Sequence, residues 1–164
     1  MQLKDIMTKK VITLKRTDTL KKTLQMFKKH KISGFPVIDS KRRLVGIVSE
    51  TDILKIIDIH SKVFKTESSI MLPLVMGIIR SGKHFEQIQK HIKDIMNVPV
   101  KKFMKKNIVT LDIKDDIYKA SSVMTKKDIN RIPIVKNKKL VGIITRSDIV
   151  NVLIGKRLIN ATKK

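Results

Sequence analysis

The sequence predicts an α/β (α+β) fold made of two tandem β-α-β-β-α units with a helical linker between them. Three observations carry that expectation. A polar phrase occurs twice, as Gly46-Ile47-Val48-Ser49-Glu50-Thr51-Asp52-Ile53 and as Gly142-Ile143-Ile144-Thr145-Arg146-Ser147-Asp148-Ile149, each behind a Leu-Val pair. The duplication extends upstream: residues 5–40 align without a gap on 102–137, and omitting Lys41 brings 42–57 onto 138–153. Finally, β-branched runs and helix-spaced apolar residues alternate in the same order in both copies. Because a repeat decides architecture before any single residue does, every later assignment is read in both copies at once.

Each element follows from local chemistry. Val11-Ile12-Thr13-Leu14 and Ile108-Val109-Thr110-Leu111 are short β-branched runs suited to extended backbone. Asp18 and Asp115 stand as N-caps ahead of apolar residues at helical spacing, Leu20, Leu24 and Phe27 or Ile117, Val123 and Met124. Helices are therefore predicted at about 19–30 and 116–127. Phe35-Pro36-Val37-Ile38 and Ile132-Pro133-Ile134-Val135 read as strands with proline near the start. Polar turns at 39–43 and 136–139 lead into 44–48 and 140–144, completing a hairpin, and a second helix begins after Ser49 or Thr145. One such unit is too small to bury its sheet alone, so two must pack together.

The repeats set the domains at 1–60 and 100–164, the latter with a short basic tail, and leave 61–99 as an insert. Within that insert, Ile70–Ile79 reads as a buried helix or turn. Phe85, Ile88, Ile92, Ile95 and Met96 fall on one face of an amphipathic helix, expected to serve packing.

Composition narrows the function. The chain of 164 residues is 41% hydrophobic, enough for a shared core, and has no cysteine, which excludes disulfides and thiolate catalysis. Met1-Gln2-Leu3-Lys4-Asp5 lacks the apolar start of a signal peptide, and no apolar run approaches the ~20 residues of a membrane span. A cytoplasmic protein without a membrane partner is the expectation. Ser81-Gly82-Lys83 lacks the spaced glycine of a phosphate-binding loop, and His30, His60, His84 and His91 are scattered. Neither catalysis nor a metal site is expected.

The formal charge is +23, with excesses of +9 in 1–57, +3 in 58–101 and +11 in 102–164. A field of that sign concentrates polyanions. Nucleic acid is thus the alternative partner. With 4% aromatic residues and no recognised reading motif, such binding would be non-specific and salt-sensitive.

The doubled Gly-x-x-Ser/Thr-x-x-Asp phrase has two chemical uses. It can close a capping box, the hydroxyl and the carboxylate satisfying backbone N–H groups reciprocally. It can also bind a ligand, because a helix N-terminus offers N–H donors to phosphate and a carboxylate one turn in can accept both hydroxyls of a ribose. On that second reading Gly46 and Gly142 let backbone approach the ligand.

Taken with the strand entry at Ile12-Thr13, the segment Ile32-Ser33-Gly34-Phe35-Pro36-Val37 and the Leu-Val-Gly ending, the phrase resembles the cystathionine-β-synthase-type (CBS) domain over about 3–57 and 100–155. A pair of such domains resembles a Bateman module. The resemblance implies pseudo-two-fold packing of the repeats. It also implies two clefts for adenosine compounds such as AMP, ADP, ATP, S-adenosylmethionine or methylthioadenosine, with no required cofactor. By position, one site would combine Ile12, Ile32, Ser33 and Phe35 with Thr145, Arg146, Ser147 and Asp148. The other would combine Val109, Ile129, Asn130, Arg131 and Ile132 with Ser49, Thr51 and Asp52. Arg131 and Arg146 replace Gly34 and Glu50 of the first repeat, and arginine suits forked phosphate recognition, so two unequal sites are expected. A homodimer of pairs and a separate effector protein complete the expectation.

Overall fold

The polar phrases end the third strand of two similar sheets in a computed structural model that describes residues 1–61 and 83–161. Repeat 1 runs β1 (Leu14–Lys15), α1 (Leu20–His30), β2 (Gly34–Ile38), β3 (Leu44–Ser49) and α2 (Glu50–Ser61). Helix α3 (Lys83–Met96) covers the predicted amphipathic segment. Repeat 2 follows as β4 (Leu111–Asp112), α4 (Ile117–Lys127), β5 (Arg131–Lys136), β6 (Lys139–Thr145) and α5 (Arg146–Ala161). This is the predicted β-α-β-β-α order in both copies, while the Ile70–Ile79 reading lies outside the described residues. The sheet orders are β1-β2-β3 and β4-β5-β6. Strand β5 pairs parallel with β4 through Leu111↔Ile134 and Asp112↔Val135, and antiparallel with β6 from Arg131↔Thr145 to Lys136↔Lys139. Pro133 precedes the β4 pairing, so its missing N–H costs that ladder nothing.

Three local features differ from the sequence expectation. The extended runs enter the ladder only at their last residue, Leu14 or Leu111, because pairing starts where the side chain first turns into the core. The helix caps are Thr19 and Asp116, one residue later than expected: Thr19 Oγ1 accepts from the Lys22 N–H at 3.2 Å and Asp116 Oδ1 from the Lys119 N–H at 2.8 Å. Asp18 and Asp115 instead fold back onto the preceding turn, each accepting an N–H at 2.8 Å, from Lys15 and Asp112. The Lys119 ammonium, 2.7 Å from Asp115, and the Asp112 amide together hold that carboxyl below its ordinary range against partial burial.

The third difference explains the one-residue gap in the repeat. Asn137 and Lys138 take φ of 50° and 63°, a two-residue hairpin turn of the mirror-image type that matches strand twist. The β2–β3 turn holds the extra residue. There Asp39 Oδ1 accepts from the N–H groups of Lys41 and Arg43, both at 2.9 Å, and Oδ2 accepts from Arg43 Nε at 2.7 Å.

The compact units do not follow chain order. One comprises Met1–Thr13, Ile38–Val45 and Asn107–Lys164, the other Leu14–Val37 and Gly46–Lys106. In the first, the Leu3 N–H donates to Asp115 O at 2.8 Å and Thr8 bridges Ile143. Leu3 packs there with Leu111, Ile117, Ala120, Met124, Ile132, Ile134, Ile144 and Ile149. In the second, the Val100 N–H donates to Asp18 O at 2.7 Å, Lys101 N–H to Arg16 O at 3.0 Å, and Lys105 bridges Ile47. Each repeat's leading arm therefore joins the body of the other repeat, with a fully buried Leu3 or Val100 as its plug. No described helix is long and apolar enough to cross a membrane.

Candidate functional site

Both polar phrases form the cap that their spacing allows. The Ser49 N–H and Oγ lie 2.8 and 2.7 Å from Asp52 Oδ2, and the Thr145 N–H and Oγ1 lie 2.7 and 2.8 Å from Asp148 Oδ2. In repeat 2 the Asp148 N–H also donates to Thr145 Oγ1 at 3.3 Å, closing the box. Each cap uses Oδ2, which leaves Oδ1 as the carboxylate's second accepting atom at the start of a helix.

The glycines also have a packing role within the chain. A Cβ on Gly46 would stand 2.4 Å from Met104 Sδ, and one on Gly142 would stand 2.3 Å from Met7 Sδ. The bare α-carbons seat methionines carried by the exchanged arms, three residues before Ser49 and Thr145. Close backbone approach is used, but by a thioether of the chain itself.

The same arms make the two helix starts chemically unequal. In the second unit, Lys105 Nζ lies 3.8 Å from Asp52 Oδ1; the aspartate is 4% exposed and the lysine side chain 53%. The residue at the matching place in the first unit is Thr8, which bridges Ile143 as Lys105 bridges Ile47. Lys105 was invisible as a site residue in the sequence, because nothing local ties it to a phrase more than fifty positions earlier. The one available signal was the repeat alignment, which sets Lys105 against Thr8.

Of the expected residues in the first unit, Ile12, Val109, Ile129, Arg131, Thr145 and Asp148 are half-buried and Ile132 is fully buried. Asn130, Arg146 and Ser147 are exposed. Arg146 turns back on its own repeat: its Nε donates to Ile129 O at 3.2 Å and its NH2 group meets Asp128 Oδ1 at 3.1 Å. In the second unit Ile32 and Ser49 are half-buried, Ser33 and Thr51 exposed, and Phe35 is buried edge-on against Phe27 with ring centroids 4.9 Å apart. The structure brings together matching pairs within each repeat, since Glu50 N–H donates to Ser33 O at 3.3 Å and Arg146 N–H to Asn130 O at 3.1 Å. Among the described residues, no group of three or more His, Cys, Asp or Glu side chains could hold a metal ion.

Comparison with known proteins places this geometry. The sequence model of the CBS domain family matches residues 3–59 and 100–155. An uncharacterised protein of Methanocaldococcus jannaschii is 31% identical over 159 residues, covering 94% of this chain and 92% of that protein. CBSX2 of Arabidopsis thaliana, solved in complex with AMP, has a TM-score of 0.69 at 22% identity, covering 95% of this chain and 98% of that one. A CBS domain pair solved in complex with 5-methylthioadenosine and S-adenosyl-L-methionine has a TM-score of 0.65 at 22% identity, with the same two coverages of 95% and 98%. At these identities the two structures show a shared fold. The chain spans only 30% and 39% of two further M. jannaschii relatives that are 32% and 31% identical to it.

Proposed function

Because the chain belongs to the CBS domain family, we propose that it is a regulatory module that binds an adenosine-containing metabolite and passes its occupancy to a separate effector protein in the cytoplasm. The carrying observation is the doubled helix start. Asp52 and Asp148 each spend Oδ2 on the cap, so that Oδ1 is the oxygen that would accept ribose hydroxyls beside the N–H donors of the first helical turn, at Asp52 in company with the Lys105 ammonium. The AMP of CBSX2 and the methylthioadenosine and S-adenosylmethionine of the second solved pair support the ligand class. The residues expected from sequence around Ile12, Ser33, Val109 and Asn130 remain the proposed base-binding sets. Binding needs no bond making. The ligand favours the arrangement that holds it best and shifts the population toward that state.

A homodimer fits the apolar residues left outside. Val150 and Ile154, both 49% exposed, stand one turn apart on α5, and Leu54, 64% exposed, takes the place of Val150 on α2.

Titration calorimetry with AMP, ATP, S-adenosylmethionine and methylthioadenosine tests the reading. At least one is expected to bind with sub-millimolar affinity, on the order of −4 kcal/mol or better. Absence of binding to all four overturns it.

Lys105 gives a finer expectation. Its ammonium beside Asp52 should read the charge of the ligand. Lys105→Met is expected to weaken AMP and ATP by about fivefold, roughly 1 kcal/mol, and to leave methylthioadenosine unchanged. An equal loss for all three would place its effect on Asp52 instead of on phosphate.

A further inference from the structure

Among the described residues of the first unit, exposed positive charge gathers away from the helix starts, where the two hairpin turns meet. Arg43 and Lys139 form an antiparallel bridge, the Leu44 N–H donates to Lys138 O at 3.4 Å, and the Leu140 N–H donates to Arg42 O at 3.4 Å. These hydrogen bonds join the turns 39–43 and 136–139 edge to edge within one compact unit. Lys41, Arg42, Arg43, Lys136, Lys138 and Lys139 are all exposed there. The accompanying acid is Asp39, already held by Arg43 and by the turn's own N–H groups.

Two of the cations stand where backbone alone would prefer another residue. Arg42 and Lys138 have φ of 59° and 63°, positions that favour Gly, Asn or Asp. The turns carry positive charge in spite of that preference.

We propose that the joined hairpin tips are a docking surface for the phosphate backbone of duplex nucleic acid. Charge complementarity selects a polyanion. Stable anchoring on a bilayer, or tight seating in a protein pocket, adds an apolar or aromatic anchor to the charge. Among the described residues the exposed large apolar side chains are Met1, Leu54, Tyr118, Val150 and Ile154, and none lies in either turn. A single strand would call for stacking faces, which the tips also lack. A row of cations on hydrogen-bonded backbone suits the outside of a duplex, where positioning contacts to phosphate carry the affinity. The surface shares no residue with the proposed adenosine site, so the two proposals stand or fall separately.

Fluorescence anisotropy with a labelled duplex of about 20 base pairs, followed from roughly 50 to 200 mM salt, tests it. The variant Lys41→Gln, Arg42→Asn, Lys138→Asn, Lys139→Gln removes four charges and places asparagine at both left-handed positions. It is expected to lose at least about tenfold in affinity and to lower the log–log salt slope by about 3 to 4. A control variant with Lys21, Lys22, Lys28 and Lys29 on α1 each changed to Gln removes the same charge and is expected to stay within about threefold of the parent. The single change Lys41→Glu, at an ordinary backbone position, should weaken binding in the same direction if the fourfold variant folds poorly. Equal losses in the tip and α1 variants would show a diffuse field and overturn the proposal. So would binding to phosphatidylserine vesicles or an acidic peptide without binding to the duplex.

Discussion

Alanine at Gly46 is expected to destabilise the protein by about 1–3 kcal/mol, the usual cost of adding volume to a filled site. The new Cβ would meet Met104 Sδ at 2.4 Å, Met104 Cγ at 2.9 Å and the Lys105 carbonyl oxygen at 3.2 Å. The sulfur can swing aside, but the carbonyl is fixed, because Ile47 N–H donates to it at 3.0 Å and Lys105 N–H returns a bond to Ile47 O at 2.9 Å. Gly142→Ala should cost less, since the three nearest atoms there all belong to the flexible Met7 side chain. Denaturant unfolding of Gly46→Ala, Met104→Ala and the double variant checks the mechanism. The double variant should be more stable than the sum of the single losses predicts, by more than about 0.5 kcal/mol. Strict additivity would place the whole cost on the fixed Lys105 carbonyl and none on the methionine.

Removing the carboxylates is expected to have the largest effect on binding. Asp52→Ala and Asp148→Ala should each weaken adenosine compounds at their own helix start by about 1.5–3 kcal/mol, roughly 10- to 150-fold, as hydrogen bonds to a charged acceptor are lost. A purely structural role would look different. Ser49→Ala removes the hydroxyl that bonds to Asp52 while keeping the carboxylate, and should lower stability by about 1 kcal/mol while costing clearly less affinity than Asp52→Ala. Calorimetry on the Asp52→Ala, Asp148→Ala double variant decides: affinity equal to the parent would reduce the doubled phrase to a pair of helix caps. Asp52→Ala should also cost stability, because this aspartate is nearly buried and its loss leaves the Ser49 N–H without its acceptor.

The legible parts of the molecule are those written in consecutive residues. The alternation of strands and helices, the hairpins and the start of α2 and α5 follow from periodicity and from residues three apart that hydrogen-bond to each other. Helix α3 was legible for the same reason, from apolar spacing alone. Boundaries were less so. Asp18 and Asp115 looked like caps but sit one residue too early to reach the first-turn amides, and α1 and α4 end on Lys31 and Asp128 in the left-handed region, with no glycine to announce it.

In the sequence the charge asymmetry around the candidate site rests on Arg131 and Arg146, residues next to the phrases and to Asn130. The structure adds a cation that adjacency could not show, Lys105 beside Asp52, and engages Arg146 with Asp128 and the Ile129 carbonyl.

The duplication, the order of elements in each copy and the position of two carboxylates at helix starts are written in consecutive residues. Those depend on turn, cap and period-two or period-3.6 chemistry acting over a few residues. Long-range packing sets the rest: the arms change places, Met7 and Met104 fill the space beside Gly142 and Gly46, and two basic turns almost a hundred residues apart share hydrogen bonds. Duplicated units offer similar seats to either arm. Which seat is taken is settled by burial of Leu3 and Val100 and by backbone pairing across long sequence separations, and no local pattern encodes that choice.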